Sequence, residues 1–114
     1  MANTIYLLTS TEEIDSNSSV LNETSQETTA SYTERNVGTI TISTGAGYTA
    51  LPFGGVSSAT YVRVSSTTAL SLKLNGGSEI ITNVKDFISA GTFTAISISQ
   101  SSGSSCNVSY EFYG

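Results

Sequence analysis

The pattern that most limits the fold of this chain is an alternation of apolar and polar residues with a period of two, which begins near Val37. This period places every second side chain on the same face of a β-strand. Gly and Ser interrupt it at intervals of roughly 8–12 residues, the spacing of strands in small sandwiches. The runs that show it are Ile40–Ile42, Tyr48–Phe53, Tyr61–Val64, Leu70–Leu74, Ile80–Val84 (extended by Phe87-Ile88), Phe93–Ser99 and Cys106–Tyr113. We therefore predict an all-β fold, an antiparallel β-sandwich of jelly-roll-like type with about seven or eight short strands.

The charge of the chain divides it into two parts. Residues 1–36 contain six acidic residues and one basic residue, whereas residues 37–114 contain three of each. The net charge of −5 therefore lies entirely in the N-terminal third. This division predicts an acidic, polar, extended arm over residues 1–36 and a β-sandwich domain over residues 37–114.

Within the predicted arm, Thr4–Thr9 is a candidate strand. Ser10 and Glu13 have the spacing of a capping box, which predicts the start of a helical turn. The remaining arm residues bury too little apolar surface to offset the entropy of ordering them alone. We therefore expect the arm to rest against its own domain or against a neighbouring subunit.

The first of two predicted hairpins turns at Asn75-Gly76-Gly77. A three-residue loop there places Leu72 opposite Ile80. The same register places Lys73 opposite Glu79 and predicts an ion pair across the strands.

The second predicted hairpin turns at Ser101-Ser102-Gly103. Its register sets Ile98 opposite Cys106, Ile96 opposite Val108 and Thr94 opposite Tyr110. One face of this hairpin is then apolar, and a slip of one residue would mix the faces. Cys106 is accordingly predicted to be a buried apolar residue rather than a reactive thiol.

The residue content argues against several classes of function. The chain has no His, the commonest general base, and a single Cys, which excludes an intrachain disulfide. Glu12, Glu13 and Asp15 lack the spacing of a calcium loop, and there is no basic cluster to bind nucleic acid. No apolar run is long enough to span a membrane, and residues 1–10 do not resemble a signal peptide. We expect a protein made in the cytoplasm, with no enzymatic activity, cofactor or metal.

The predicted strands have few residues that would protect the edges of a sheet. The chain contains two Lys and one Pro, residue types that usually prevent an exposed edge from pairing with another strand. We expect an edge to be covered either by the arm strand Thr4–Thr9 or by a neighbouring subunit. The second arrangement would link copies by β-augmentation.

A carbohydrate-binding or adhesin module is the alternative from another class. Small β-sandwiches of that kind present aromatic rings to the sugar. This chain has no Trp, but Tyr48, Phe53, Tyr61 and Tyr113 are candidates for such rings. Tyr61 and Tyr113 are predicted to lie on faces opposite the apolar residues. Their exposure would make them candidate ligand or interface rings.

Three segments carry a resemblance to a known family. They are Gly47-Tyr-Thr-Ala-Leu-Pro-Phe-Gly54, Tyr61-Val-Arg-Val64 and Leu70-Ser-Leu-Lys-Leu-Asn-Gly-Gly77. Together with the polar arm that precedes them, they resemble the small β-sandwich virion structural proteins of tailed bacteriophages. The resemblance spans residues 38–114 and rests on turns and alternating strands, without a catalytic signature.

The resemblance implies a non-enzymatic structural protein of the virion, present in many copies. Within that class it favours a capsid decoration (cement) protein, and a head–tail connector, tail or fibre component is the alternative. The implied partners are further copies of the chain, with a trimer as one form, and the major capsid protein or other virion proteins. No residue carries over from the family as a functional site. The candidate interaction residues of this chain itself are Ile5, Tyr6, Leu7, Leu8, Tyr32, Tyr61 and Tyr113.

Overall fold

The computed structural model describes residues 3–14, 16–17, 20–45, 47–102 and 104–114. Its strands are β1 (Asn3–Ile14), β2 (Val20–Tyr32), β3 (Arg35–Ile42), β4 (Thr49–Ala50), β5 (Ala59–Leu74), β6 (Ile81–Phe93), β7 (Ile96–Ser99) and β8 (Cys106–Tyr113). None of the described residues is helical, so the all-β prediction is confirmed. Ser10 and Glu13 both lie in β1. The helical turn predicted from their spacing is therefore wrong, because these residues extend the strand that pairs with β2.

The chain forms two compact units, Met1–Ser31 and Tyr32–Gly114. The first unit contains a two-stranded sheet of β1 and β2. The strands are joined by residues 15–19, a connection too short for a parallel crossover, so the sheet is a β-hairpin.

The second unit is organised around β5, a strand of 16 residues. Residues 61–66 of β5 pair with β8, and residues 71–74 pair with β7. The opposite edge of β5 pairs with β6, and the full order is β3-β8-β5-β7-β4 with β6 beside β5. The runs Tyr61–Val64 and Leu70–Leu74, predicted as separate strands, are thus two halves of one strand.

An irregularity in the middle of β5 allows its two halves to pair with different strands. The register with β6 shifts between Ser65 and Leu70. Extra residues at such a bulge bend a strand and increase its twist, so the antiparallel sheet curls around one core. The buried core residues include Ile42, Leu51, Val56, Val62, Val64, Leu70, Leu72, Ile96, Ile98, Val108 and Phe112.

The first hairpin forms, but its predicted register is wrong. Leu72 lies opposite Ile81 rather than Ile80. Asn75 and Gly76 both have positive φ, 54° and 70°, and the Gly77 N–H donates to the Leu74 carbonyl oxygen at 2.9 Å. Asn75 and Gly76 therefore form a tight turn of the kind that favours Asn-Gly, and residues 77–80 lie between this turn and the start of β6. The connection is longer than the three-residue loop predicted.

Lys73 makes a contact other than the predicted ion pair with Glu79. Its Nζ lies 4.2 Å from the centroid of the Tyr48 ring. Such a cation–π contact at a partly exposed site is worth about 0.5–1 kcal/mol. Lys73 thus joins β5 to the segment that leads into β4.

The predicted pairing of the second hairpin is wrong, but the predicted division of its side chains into a buried and an outward face is correct. Ile98 lies opposite Leu72 and Thr49, whereas Cys106 lies opposite Ile42. The reason is that β8 pairs with β3 and with the first half of β5, which separates it from β7. The inward residues of β7 and β8 are nevertheless buried, including Cys106 at 7% exposure, as predicted. Gly103 lies outside the described residues.

We expect Gly38→Ala to destabilise the second unit by about 1–3 kcal/mol. Gly38 lies opposite Tyr110 in the β3–β8 ladder, and a Cβ there would sit 2.5 Å from the Tyr110 hydroxyl and 2.9 Å from its Cζ. Gly55→Ala is the matched control, since nothing lies within 4 Å of its Cβ position. Urea unfolding of the two variants measures the difference, and equal stability would contradict the close approach of Tyr110.

Candidate interaction surfaces

The candidate residues of β1 lie on the hairpin of the first unit. Tyr6 is 70% exposed, and Ile5 is partly buried. The side chains of Leu7 and Leu8 lie outside the described residues. An aromatic ring this exposed on a strand is available to another molecule.

The hairpin also presents a row of polar side chains on β2. Glu23, Ser25, Glu27 and Thr29 are all exposed and alternate along the strand, so they share one face of it. Two carboxylates and two hydroxyl-type side chains form a surface that is easily hydrated and negatively charged.

The boundary between the two units, after Ser31, divides the charges more completely than the predicted boundary after residue 36. Residues 1–31 contain five acidic residues and no basic residue, a net charge of −5, whereas residues 32–114 contain four of each. The acidic residues of the first unit are Glu12, Glu13, Asp15, Glu23 and Glu27. All of the excess charge therefore belongs to the first unit.

Three of the candidate tyrosines meet in the second unit. The ring centroids of Tyr32 and Tyr113 are 5.0 Å apart in an edge-to-face arrangement, and those of Tyr61 and Tyr113 are 6.3 Å apart. Tyr61 and Tyr113 are also opposite each other in the β5–β8 ladder. This tyrosine cluster (Tyr32, Tyr61 and Tyr113) joins the end of β2 to two strands of the large sheet.

The prediction that Tyr61 and Tyr113 are exposed rings is wrong. Their exposed fractions are 3% and 8%. Both lie on the face of the sheet opposite Val62 and Phe112, as the alternation predicts, yet Tyr113 is covered by Tyr32 and Tyr61 on either side. The period of two assigns a face correctly, but it does not show that packed rings cover that face.

Charged groups lie on this face next to the tyrosine cluster. The Arg63 guanidinium donates to both carboxylate oxygens of Asp86, at 3.2 and 3.3 Å, and the hydrogen bond raises the pKa of Arg63. The Tyr113 hydroxyl donates to Glu111 at 3.0 Å. Burial, together with this bond to Glu111, raises the pKa of Tyr113 to about 12.

The Tyr61 hydroxyl has no hydrogen-bond partner among the described residues, although it is buried. Burial raises the pKa of Tyr61, and the nearby Arg63 opposes that shift. An unpaired buried hydroxyl costs free energy because it loses its bonds to water. Tyr61 thus packs its ring against Tyr113, while its hydroxyl adds no hydrogen bond that would stabilise the fold.

Backbone bonds hold the start of the second unit against Gly114. The N–H groups of Thr33 and Glu34 both donate to the Gly114 carbonyl oxygen at 2.8 Å, and the Gly114 N–H donates to the Glu34 carbonyl oxygen at 2.8 Å. The Asn36 side chain also donates to the Pro52 carbonyl oxygen at 2.7 Å. Residues 33–36, which the division of charge places in the arm, therefore lie in the second unit.

An open, uncharged groove of about 740 Å³ lies on the second unit. Its lining consists of Ser, Thr and Asn side chains with Cys106, and comes from the middle of β5 and the start of β8: Ser65, Ser66, Thr67, Thr68, Ser104, Ser105, Cys106, Asn107 and Ser109.

The described residues contain no group of three or more side chains placed to hold a metal ion. They also contain no helix of the length and apolarity needed to cross a bilayer.

Two features of the surface were missed by sequence reasoning. They are the Arg63–Asp86 ion pair and two neighbouring exposed isoleucines, Ile80 (51%) and Ile81 (39%). Arg63 alternates with apolar residues in its run, a signal that it points outward, but its partner depends on the β5–β6 register. The predicted register pairs Ile80 with Leu72 in the core, whereas the structure places Ile81 opposite Leu72 and leaves both isoleucines exposed.

Comparison with protein-family models, with curated proteins and with solved structures finds no match for this chain.

We expect Tyr61→Phe to stabilise the second unit by roughly 1 kcal/mol, because it removes a buried hydroxyl without a partner. Tyr113→Phe is the matched comparison and should destabilise it by about 1 kcal/mol through loss of the bond to Glu111. Chemical denaturation measures both. Destabilisation by Tyr61→Phe equal to that of Tyr113→Phe would show that the Tyr61 hydroxyl is bonded.

We expect the folded protein to lose stability as the pH rises above 10. The pKa of Tyr113 is about 12 when folded, against 10.0 as the ordinary value. Between these values the unfolded chain releases the proton first, so unfolding becomes more favourable. Thermal melting from pH 9 to 12 measures the effect, and Tyr113→Phe should flatten the curve. An unchanged slope in that variant would contradict the assignment.

Proposed function

We propose that this chain is a non-enzymatic structural protein of a virion, and within that class a capsid decoration (cement) protein. Copies of it would stabilise the shell through contacts with one another and through an N-terminal arm formed by the β1–β2 hairpin. In this proposal the curled sheet is a jelly-roll-like β-sandwich that serves as the body of the decoration. The partners are further copies of the chain and the major capsid protein or another virion protein.

The observation that carries the proposal is the hairpin of the first unit. Its strands have 12 and 13 residues, so each extends for about 40 Å at roughly 3.3 Å per residue. An isolated two-stranded hairpin is marginally stable in water, and this one presents the polar row Glu23–Thr29 and the exposed Tyr6. A long, charged hairpin of this kind is suited to lie along a second surface, which would complete its packing.

The charge of the hairpin supports a partner with a basic surface. With a charge of −5 on residues 1–31 and none in excess on residues 32–114, hairpins of neighbouring copies repel one another. Complementary charge steers association and suppresses wrong partners. The hairpin would therefore bind Lys or Arg side chains of the shell rather than another hairpin.

The virion setting rests on the resemblance of residues 38–114 to small phage virion proteins. A head–tail connector, tail or fibre component is the alternative within the same class. The carbohydrate-binding alternative loses two of its four candidate rings, because Tyr61 and Tyr113 are buried. Among the exposed rings, Tyr48 is 38% exposed and lies against Lys73.

We expect deletion of residues 1–31 to reduce incorporation into particles by roughly tenfold or more while the second unit stays folded. The cut is placed before Tyr32 because Tyr32, Thr33 and Glu34 contact Tyr113 and Gly114. Incorporation is measured by quantitative mass spectrometry of purified virions made in cells that express only the truncated chain.

Two further measurements make this test decisive. Circular dichroism melting of the truncated chain verifies that the second unit is intact. Glu23→Gln with Glu27→Gln keeps the hairpin and removes two charges, so it should lower incorporation in a salt-dependent way. Full incorporation of the truncated chain would refute the role of the hairpin, and absence of the full-length chain from virions would refute the virion proposal.

A further inference from the structure

The turn that follows β5 contains an Asn-Gly pair, Asn75-Gly76, which is the only such pair in the sequence. Both residues are exposed. The other asparagines of the chain are followed by Thr, Ser, Glu or Val. Gly has no Cβ, so the backbone nitrogen of Gly76 is the least shielded of all those that follow an asparagine.

This pair can lose the side-chain amide of Asn75 without a catalyst. The Gly76 nitrogen attacks the Asn75 Cγ, a C–N bond closes a succinimide ring, and the side-chain nitrogen leaves as ammonia. The proton of the Gly76 nitrogen passes to water or hydroxide, and the leaving nitrogen takes a proton from water. Water then opens the ring at either carbonyl carbon and leaves aspartate or isoaspartate at position 75. The net reaction consumes water and releases ammonia, with no oxidation or reduction.

The Gly76 side of the turn is open to water. Nothing lies within 4 Å of the Cβ position of Gly76. Water and hydroxide can therefore approach the backbone at the residue that must lose a proton.

Hydrogen bonds hold the Asn75 side chain in the folded turn. Its Nδ2 donates to the Thr92 carbonyl oxygen at 3.0 Å, and its Oδ1 accepts from the Thr94 N–H at 2.8 Å. The Asn75 N–H also donates to the Ala95 carbonyl oxygen at 2.7 Å. Attack on Cγ makes the planar amide tetrahedral, and departure of Nδ2 removes the donor to Thr92. The reaction therefore requires the turn to open locally away from residues 92–95.

We propose that Asn75 is a site of spontaneous deamidation that the folded turn protects. Chains whose turn is open react, and their products lack a native contact. A carboxylate at position 75 has no hydrogen to donate to the Thr92 carbonyl oxygen, and isoaspartate adds a methylene to the backbone of a tight turn. A chain that remains unfolded is thus altered irreversibly at this turn. The inference goes beyond the proposed function and does not rest on it.

Asn83 provides a comparison within the same chain. It is exposed and has φ 60°, close to the φ of 54° at Asn75, but the next residue is Val84. The branched side chain of Val84 crowds the backbone nitrogen that would have to attack. Asn83 should therefore keep its amide under conditions in which Asn75 loses it.

Peptide mass spectrometry of the full-length chain tests the site and its protection. The chain is incubated at mildly alkaline pH, either folded in buffer or unfolded in guanidinium chloride, and the asparagine, aspartate and isoaspartate forms are quantified at positions 75 and 83. We expect conversion at position 75 to be slower by roughly tenfold or more in the folded chain, because the turn must first open. In the denaturant, conversion at position 75 should exceed that at position 83.

Gly76→Ala is the control for the attacking nitrogen. It is compared with the unaltered chain in guanidinium chloride, where folding plays no part, and should slow conversion at position 75 because it adds the missing Cβ. Equal rates at position 75 in folded and unfolded chains would overturn the protection. Equal rates at positions 75 and 83 in the denaturant, or an unchanged rate in Gly76→Ala, would overturn the assignment of the site.

Asn75→Asp reproduces the aspartate product and tests its effect on the fold. Guanidinium chloride unfolding should show a lower midpoint for this variant with an unchanged slope, since the bond to Thr92 is lost. Asn83→Asp is the matched control, because it adds the same charge at an exposed position with positive φ that takes no part in the contact with residues 92–95. Equal midpoints for the two variants would overturn the conclusion that deamidation damages the turn.

Discussion

The structure of the second unit depends on a single strand that is shared by three others. The first half of β5 pairs with β8, the second half with β7, and the opposite edge with β6. Both halves of this strand contribute buried side chains to the core, Val62 and Val64 from the first half and Leu70 and Leu72 from the second. The bend between Ser65 and Leu70 lets the sheet curl, and it also opens the hydroxyl-lined groove beside β8.

The tyrosine cluster shows how Tyr32 is packed against the large sheet. Tyr32 is the last residue of β2, and its ring packs against Tyr113, which lies opposite Tyr61. Backbone bonds from Thr33 and Glu34 to Gly114 follow at once. From Tyr32 onward the chain is therefore held by contacts inside the second unit.

Much of the second unit could be predicted from alternation, because alternation reports which side chains are buried. It predicted β8 with the observed bounds, the β3 run around Ile40 and Ile42, and the burial of Cys106, Ile96 and Ile98. It could not predict pairing, since β7 and β8 have compatible faces and still pair with other strands. It also separated β5 into two strands at the bulge. Tyr113 packs against Tyr32 and Tyr61, both distant from it in sequence, so no local pattern could show that these rings are buried.

The sharing of β5 has a consequence for the order in which the molecule forms. The β5–β6 hairpin closes a short turn at Asn75-Gly76, whereas the contact of Thr33 with Gly114 spans 81 residues. Local pairings form earlier than distant ones because less loop entropy opposes them. During synthesis, therefore, the β5–β6 pair exists before β8 is available to complete the sheet. The order of formation thus places the completion of the β3–β8–β5 side of the sheet last, after the most distant parts of the chain have been made.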